Sequence, residues 1–383
     1  MQHQSTSNGV GALCLVALSF ASLTPLAAAA ADPLPGSDAS RLVWQRKSHD
    51  LGEWPEGLTP EQIAVLEDWQ GFAASQGMRM DLNRDGRVVV LSDAARNRSN
   101  RTWEQRIEDT LDSCDELFPW TAPSEAPGGI DRGAILGARN PGDGLVVLVR
   151  LKDGAQRDAL VNDLLLRYPV LSDWAPEARS NPSFLLREPA CAAWIEQGRN
   201  SVESASAECV NRLSHLLLQQ RFGILPSWLE EGLGWTIEEE VNGRLASTPS
   251  IGDLPRDFPN HGFERELETH FGRGQQSPIA GADLLSWERG SWDERNAAMA
   301  WGACEHMRAM NPRAISGLCA DLALARETLD WVQEGANGSW NHVPGEAWDP
   351  QEVELAIGRH AGPSARSEWA YFFGSGRLLP RAR

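Results

Sequence analysis

Two apolar periods run along this chain and divide it into a strand-bearing first half and a helical second half. Residues 78–93, MRMDLNRDGRVVVLSD, are strand-forming on both sides of Arg84, Asp85 and Gly86, which predicts an antiparallel hairpin. GLVVLVRL at 144–151 reads as a buried strand, and a helical stretch follows it near 156–168. Between them Trp103, Ile107, Leu111 and Cys114 recur at helical spacing, and residues 183–186 offer one more short strand.

From residue 204 onward the period is that of helices. Val210, Leu213, Leu217 and Phe222 form one apolar stripe, and Gly223 is a natural stop behind it. Residues 291–310 and 312–325 read as an antiparallel helical pair split at Asn311 and Pro312, and a last helical segment begins at 351–358. No repeat recurs at a fixed period. The fold class expected is α+β: an N-terminal α/β part with a sheet, then a mainly helical C-terminal part.

The stretch 208–241, ECVNRLSHLLLQQRFGILPSWLEEGLGWTIEEEV, carries the candidate chemistry. Its first helix holds Asn211, Arg212, Leu213, Ser214 and His215; its second opens with Pro226, Ser227, Trp228, Leu229, Glu230, Glu231 and Gly232. The frame resembles the H-E-x-x-H … P-x-W-L-x-E-G signature of the gluzincins, the peptidase-MA-like zinc metallopeptidases. In that family two imidazoles four residues apart face one Zn²⁺, and a glutamate from a following helix completes the set. The resemblance implies a thermolysin-like arrangement, with His215 at the second zinc histidine and Glu231 at the third ligand. It also places Asn211 at the first histidine and Arg212 at the general base.

Those two positions change the chemistry. Catalytic zinc takes three protein ligands and a water, and an amide oxygen substitutes poorly for imidazole. A guanidinium keeps its proton at any working pH, so it neither activates water nor tolerates a divalent cation beside it. No cofactor is therefore expected, and zinc only if an atypical site still works. With the metal gone, Arg212 and His215 are expected to pair with Glu231, an internal ion pair replacing the zinc between the helices. Ser227 with Glu230 three residues on reads as a capping box behind Pro226. Glu208 and the run from Glu238 to Glu240 read as solvated acids near helix ends.

Domain boundaries follow: a leader at 1–31, a linker or loosely packed arm at 32–75, an α/β subdomain at 76–190, the relict zinc-helix core at 191–245, and a helical subdomain at 246–383. The leader has an apolar run at 10–26 and small residues at 27–31, with cleavage expected at 29–31, although no Lys or Arg precedes Gly9. Export is thus expected, to the periplasm or outside the cell, with an uncleaved N-terminal anchor as the alternative. No later segment is long and apolar enough to span a bilayer.

Export would place Cys114, Cys191, Cys209, Cys304 and Cys319 in an oxidising compartment, with Cys191–Cys209 and Cys304–Cys319 as possible disulfides and buried free thiols as the other reading. A formal charge of −18 argues against nucleic acid and anionic membranes as partners. The 16 tryptophans are scattered and read as core. Two other motifs are weaker. Cys304, Glu305 and His306 are adjacent on a helix and so point apart. DLNRDG mimics an EF-hand opening, but Ser92 stands where the bidentate acid belongs. Asn97, Asn100 and Asn337 lie in glycosylation sequons.

The function expected is that of an exported, metallopeptidase-like pseudoenzyme whose cleft binds a peptide or protein or whose fold serves as a scaffold. An active zinc hydrolase with an atypical site is the alternative, and an unrelated α/β envelope protein the second.

Overall fold

A computed structural model describes residues 45–47, 54–83, 85–93, 100–118, 144–172, 174–186, 189–195, 202–223, 225–247, 263–271, 284–285, 287, 294–330 and 348–375. The leader, Asn97 and Asn337 lie outside the described residues.

Six strands form one mixed sheet. They are β1 (Gln45–Lys47), β2 (Met78–Leu82), β3 (Val88–Asp93), β4 (Val146–Leu151), β5 (Ser183–Leu186) and β6 (Cys191–Ile195), in the order β1-β2-β3-β4-β6-β5. The centre, β3-β4-β6, is parallel; β1 to β3 form an antiparallel meander, and β5 is an antiparallel edge. The predicted β2–β3 hairpin is present, with Met78 opposite Asp93. Asn83 closes its turn, its Oδ1 accepting from the backbone N–H of Arg87 and of Val88 at 2.7 Å each, while Gly86 takes a positive φ of 70°.

Strand alternation sends side chains to two separate cores. Val89, Leu91, Val147 and Val149 meet α1 (Pro60–Ser75) and α3 (Gly154–Arg167) on one face. Val88, Val90, Val146, Leu148 and Trp194 meet α2 (Asn100–Leu117) and α5 (Val202–Phe222) on the other. Every residue of β4 is buried, Arg150 included, its guanidinium lying over the Trp103 ring. A short α4 (Ala175–Ser180) follows α3.

The larger core continues from α5 through α6 (Ser227–Asn242) to α7 (Phe263–Phe271), α8 (Glu294–Met310), α9 (Pro312–Asp330), α10 (Pro350–His360) and α11 (Ala365–Ser375). Trp69, Trp194, Trp228, Trp235 and Trp369 are among its largest fully buried side chains and those of the smaller core, so these five tryptophans are core residues. The chain is thus mixed α+β, a sheet followed by helices. Among the described residues no helix is long and apolar enough to cross a membrane.

Two expectations need correcting here. Residues 60–75, assigned to a loose arm, form α1, whose Leu66, Trp69 and Phe72 are buried. Its start is a true capping box: Thr59 Oγ1 accepts from Gln62 N–H, and Gln62 Oε1 accepts from Thr59 N–H. Strand β6 had no sequence signal, because CAAWI is too rich in small residues to show an alternating or β-branched pattern.

Candidate functional site

Helix α5 enters the larger core with a polar series set into its apolar surface: Asn211, His215 and Gln219, four residues apart and so on one face, all buried. Opposite lies α6, fully buried from Trp228 to Glu238. Two glycines let α6 approach its neighbours. A Cβ on Gly234 would lie 2.6 Å from His215 Nε2 and 3.3 Å from Asn211 Nδ2; one on Gly232 would lie 2.5 Å from the Ala300 carbonyl oxygen and 2.7 Å from Cys304 Sγ. The glycine of the Glu231-Gly232 pair thus seats α8, and Gly234 makes room for the imidazole.

His215 lies between two glutamates of α6. Its Nδ1 is 3.1 Å from Glu230 Oε1 and its Nε2 is 3.4 Å from Glu231 Oε2. Gln219 Nε2 donates to the same Glu230 oxygen at 2.7 Å. His215 and Glu231, matched to zinc ligands by the resemblance, therefore do face each other across the two helices. His215, Glu231, Asn211 and Arg212 are each 0% exposed.

Arg212 departs from the expectation. Its Nη2 lies 3.0 Å from Glu208 Oε2, one turn back on α5, and donates to Ser183 Oγ on the edge strand β5 at 2.9 Å. The bridging role expected for an Arg212–Glu231 pair is filled by His215, and Arg212 instead ties the motif helix to the sheet edge. Its long side chain reaches the nearest acid on its own helix, an i,i+4 partner.

The predicted capping box is also absent. Pro226 is the N-cap of α6 and Ser227 its first helical residue, with no side-chain cap bond. Glu230 is not a surface cap but the 2% exposed partner of His215 and Gln219. At the other end of α5, Gly223 stops the helix as expected, with φ of 71° and its N–H donating to Gln219 O at 2.9 Å.

The donor set can be weighed against the zinc that the resemblance implies. A neutral imidazole has one donor nitrogen and one acceptor. With Nδ1 bonded to Glu230 Oε1, Nε2 faces Glu231 Oε2 at 3.4 Å with no hydrogen bond between them. That spacing is one a shared cation could span, because two zinc bonds of about 2.0–2.1 Å at the tetrahedral angle set their ligand atoms roughly 3.3–3.4 Å apart. The donors, however, do not fit a catalytic zinc. His215 and Glu231 are two ligands, and among the described residues no group of three His, Cys, Asp or Glu side chains is placed to hold a metal ion. Asn211, at the first histidine's place, has neither amide atom hydrogen-bonded. Residue 212 is an arginine, and Asn211, Arg212, His215 and Glu231 are all sealed in the core.

The remaining candidates resolve without forming a site. Cys191 and Cys209 belong to cores on opposite faces of the sheet, and Cys304 Sγ is turned to Gly232. All five described cysteines, Cys319 and Cys114 included, are buried free thiols, so the two possible disulfides are not formed. Burial pushes Cys191 and Cys209 up to about 12 and raises Cys304 and Cys319 as well. Cys304, Glu305 and His306 point apart: to Gly232, to Arg308 and to the Phe372 ring.

Glu238 is another correction. It is 0% exposed rather than solvated, and accepts from Ala246 N–H at 2.6 Å, Ser247 N–H at 2.9 Å and the Ser247 hydroxyl. Burial pushes its carboxyl up to about 7, the Ser247 and Ala246 hydrogen bonds pull it back, and Glu208 raises it slightly. Gln219 was also missed in the sequence, where the four-residue spacing of Asn211, His215 and Gln219 was the available signal. No protein-family model matches the chain, and no curated protein matches it in sequence.

Proposed function

We propose that this chain is an exported gluzincin-like pseudopeptidase, a thermolysin-like scaffold that has exchanged its zinc for internal polar fastening. The observation that carries the reading is His215, held between Glu230 and Glu231 across the two motif helices while Asn211 and Arg212 occupy the positions of ligand and base. A carboxylate on the far imidazole nitrogen is what orients metal-binding histidines, and Glu230 has that relation to His215. The orienting partner is thus retained where the catalytic base is not.

Topology supports the same reading. In gluzincins a sheet precedes the zinc helix, and its edge strand lines the substrate cleft. Here the antiparallel edge β5 and the inner β6 come directly before α5, and Arg212 is hydrogen-bonded to Ser183 of that edge. The relict residues therefore act as structural ties, and a peptide or protein lying along the β5 side is the ligand class such a scaffold would take. The leader-like N-terminus makes export part of the proposal.

Metal content tests it. The full-length mature protein, purified without chelator, is expected to carry well under one zinc per chain by elemental analysis, and Asn211→His with Arg212→Glu is expected to create zinc binding. Stoichiometric zinc in the unaltered protein that disappears in His215→Ala would replace this reading with that of a working hydrolase.

A further inference from the structure

Glu238 stands apart from the motif residues, a wholly buried carboxylate whose described partners are all neutral. Two backbone N–H groups and a hydroxyl meet it, all from Ala246 and Ser247, just beyond the end of α6. Gly243 ends that helix in the left-handed conformation, φ 73°, and turns the chain back so that Ser247, 1% exposed, lies on Glu238.

The charged groups around it are committed elsewhere or repel it. From α5 the Glu208 carboxylate faces it, and Glu208 is itself paired with Arg212. On α2, Arg106 gives its guanidinium to the Val241 carbonyl and approaches Asp109. On α8, Arg308 pairs with Glu240 and Glu305. Along α6 itself, Glu239 accepts from Trp301 Nε1–H and Glu240 from the Ser113 hydroxyl. Arg244 is exposed. A carboxylate sealed from water without a cation is costly as an anion and comfortable as an acid.

We propose that Glu238 is a proton-operated latch: with its carboxyl protonated the 245–247 segment is held against the end of α6, and ionisation releases it. As an acid, Glu238 accepts the two N–H groups on one oxygen and exchanges a hydrogen bond with the Ser247 hydroxyl on the other. As an anion it keeps those acceptors but must recover its hydration, and lifting Ala246 and Ser247 away opens it to water. A burial-raised carboxyl titrating near neutrality sets the working range of such a latch between weakly acid and neutral surroundings.

Hydrogen–deuterium exchange of the full chain between pH 5.5 and 8.5, corrected for intrinsic exchange, reads this directly. In a peptide carrying the Ala246 and Ser247 amides, opening is expected to rise about tenfold per pH unit up to near pH 7 and to flatten above it. Glu238→Gln should abolish that dependence. Ser247→Ala keeps the carboxyl but removes a bond that favours its anion, and should move the transition to higher pH. Protection that does not vary with pH in the unaltered protein, or that varies equally in Glu238→Gln, overturns the latch. Should Glu238→Gln fail to fold, Ser247→Ala decides: a displaced transition supports the latch and an undisplaced one overturns it.

Discussion

His215 Nε2 lies 3.4 Å from Glu231 Oε2, a contact by which α5 sets an imidazole against a buried carboxylate of α6. Its Nδ1 is hydrogen-bonded to Glu230 Oε1 at 3.1 Å, whereas Nε2 makes no hydrogen bond. Removing the imidazole takes away the group shared by two buried carboxylates, a change that costs about 3 to 5 kcal/mol when an interior ion pair is broken. His215→Ala is therefore expected to lower stability by that amount in urea unfolding. Glu230→Gln, which keeps an acceptor for Gln219 and His215, should cost about 1 kcal/mol. Equal losses in the two variants would show that the imidazole is not the tie.

The two α6 glycines make a graded prediction. At Gly234 the obstacle to a methyl group is the His215 ring, a side chain that can tilt; at Gly232 it is the backbone oxygen of Ala300, which cannot move without moving α8. Overpacking of this kind costs about 1 to 3 kcal/mol and sometimes more. Gly234→Ala should fall near the low end and Gly232→Ala at or above the high end, as read from urea midpoints. A larger loss at Gly234 would place the rigid contact at the imidazole instead.

How far the sequence reached can be judged at these same residues. The strands with unbroken or strand-like runs, β3 and β4, and the helices with clean stripes were legible because one local period fixes one exposed or buried face. The facing of His215 and Glu231 was implied by the resemblance of the frame to the gluzincin signature, not by a local period. What could not be read were choices among equivalent partners. Arg212 reaches either helix from one position, and only the folded geometry sends it to Glu208 and Ser183. Ser227 and Glu230 carry the letters of a capping box, but Pro226 takes the cap and moves Glu230 one turn into the core. β6 and the cap of α1 were lost for opposite reasons, one too weak in pattern and the other merged with a polar arm. The cysteine pairs failed because proximity along the chain says nothing of which sheet face each thiol meets.

Thiol chemistry checks that last point. Cys191 and Cys209 are fully buried with burial holding them up to about 12, so almost no thiolate is present or reachable at pH 8. Native protein treated with iodoacetamide at pH 8 is expected to stay unmodified at Cys114, Cys191, Cys209, Cys304 and Cys319, and to react at all five after unfolding in urea. Mass spectrometry of the unreduced, unfolded protein counts them. Two residues fewer, restored by reductant, would mean that a disulfide has formed.

Glu238 gives the stability of the whole chain a particular pH dependence. Its folded carboxyl, at about 7, lies above the usual 4.5, so the folded state binds the proton more tightly than the unfolded chain does. The contribution is therefore complete below 4.5, declines as the pH rises from 4.5 toward 7, and is level above that. The span amounts to about 3 to 4 kcal/mol, taking each unit of displacement at about 1.4 kcal/mol. Other carboxylates contribute with the opposite sign at low pH, so the observable is the difference between the unaltered protein and Glu238→Gln. Urea unfolding at pH 5 and pH 8 should show the glutamate form losing stability relative to the glutamine form by about 2 to 3 kcal/mol across that interval. A constant difference would mean that Glu238 keeps one charge state throughout, and that the neutral donors of Ala246 and Ser247 are enough to hold it.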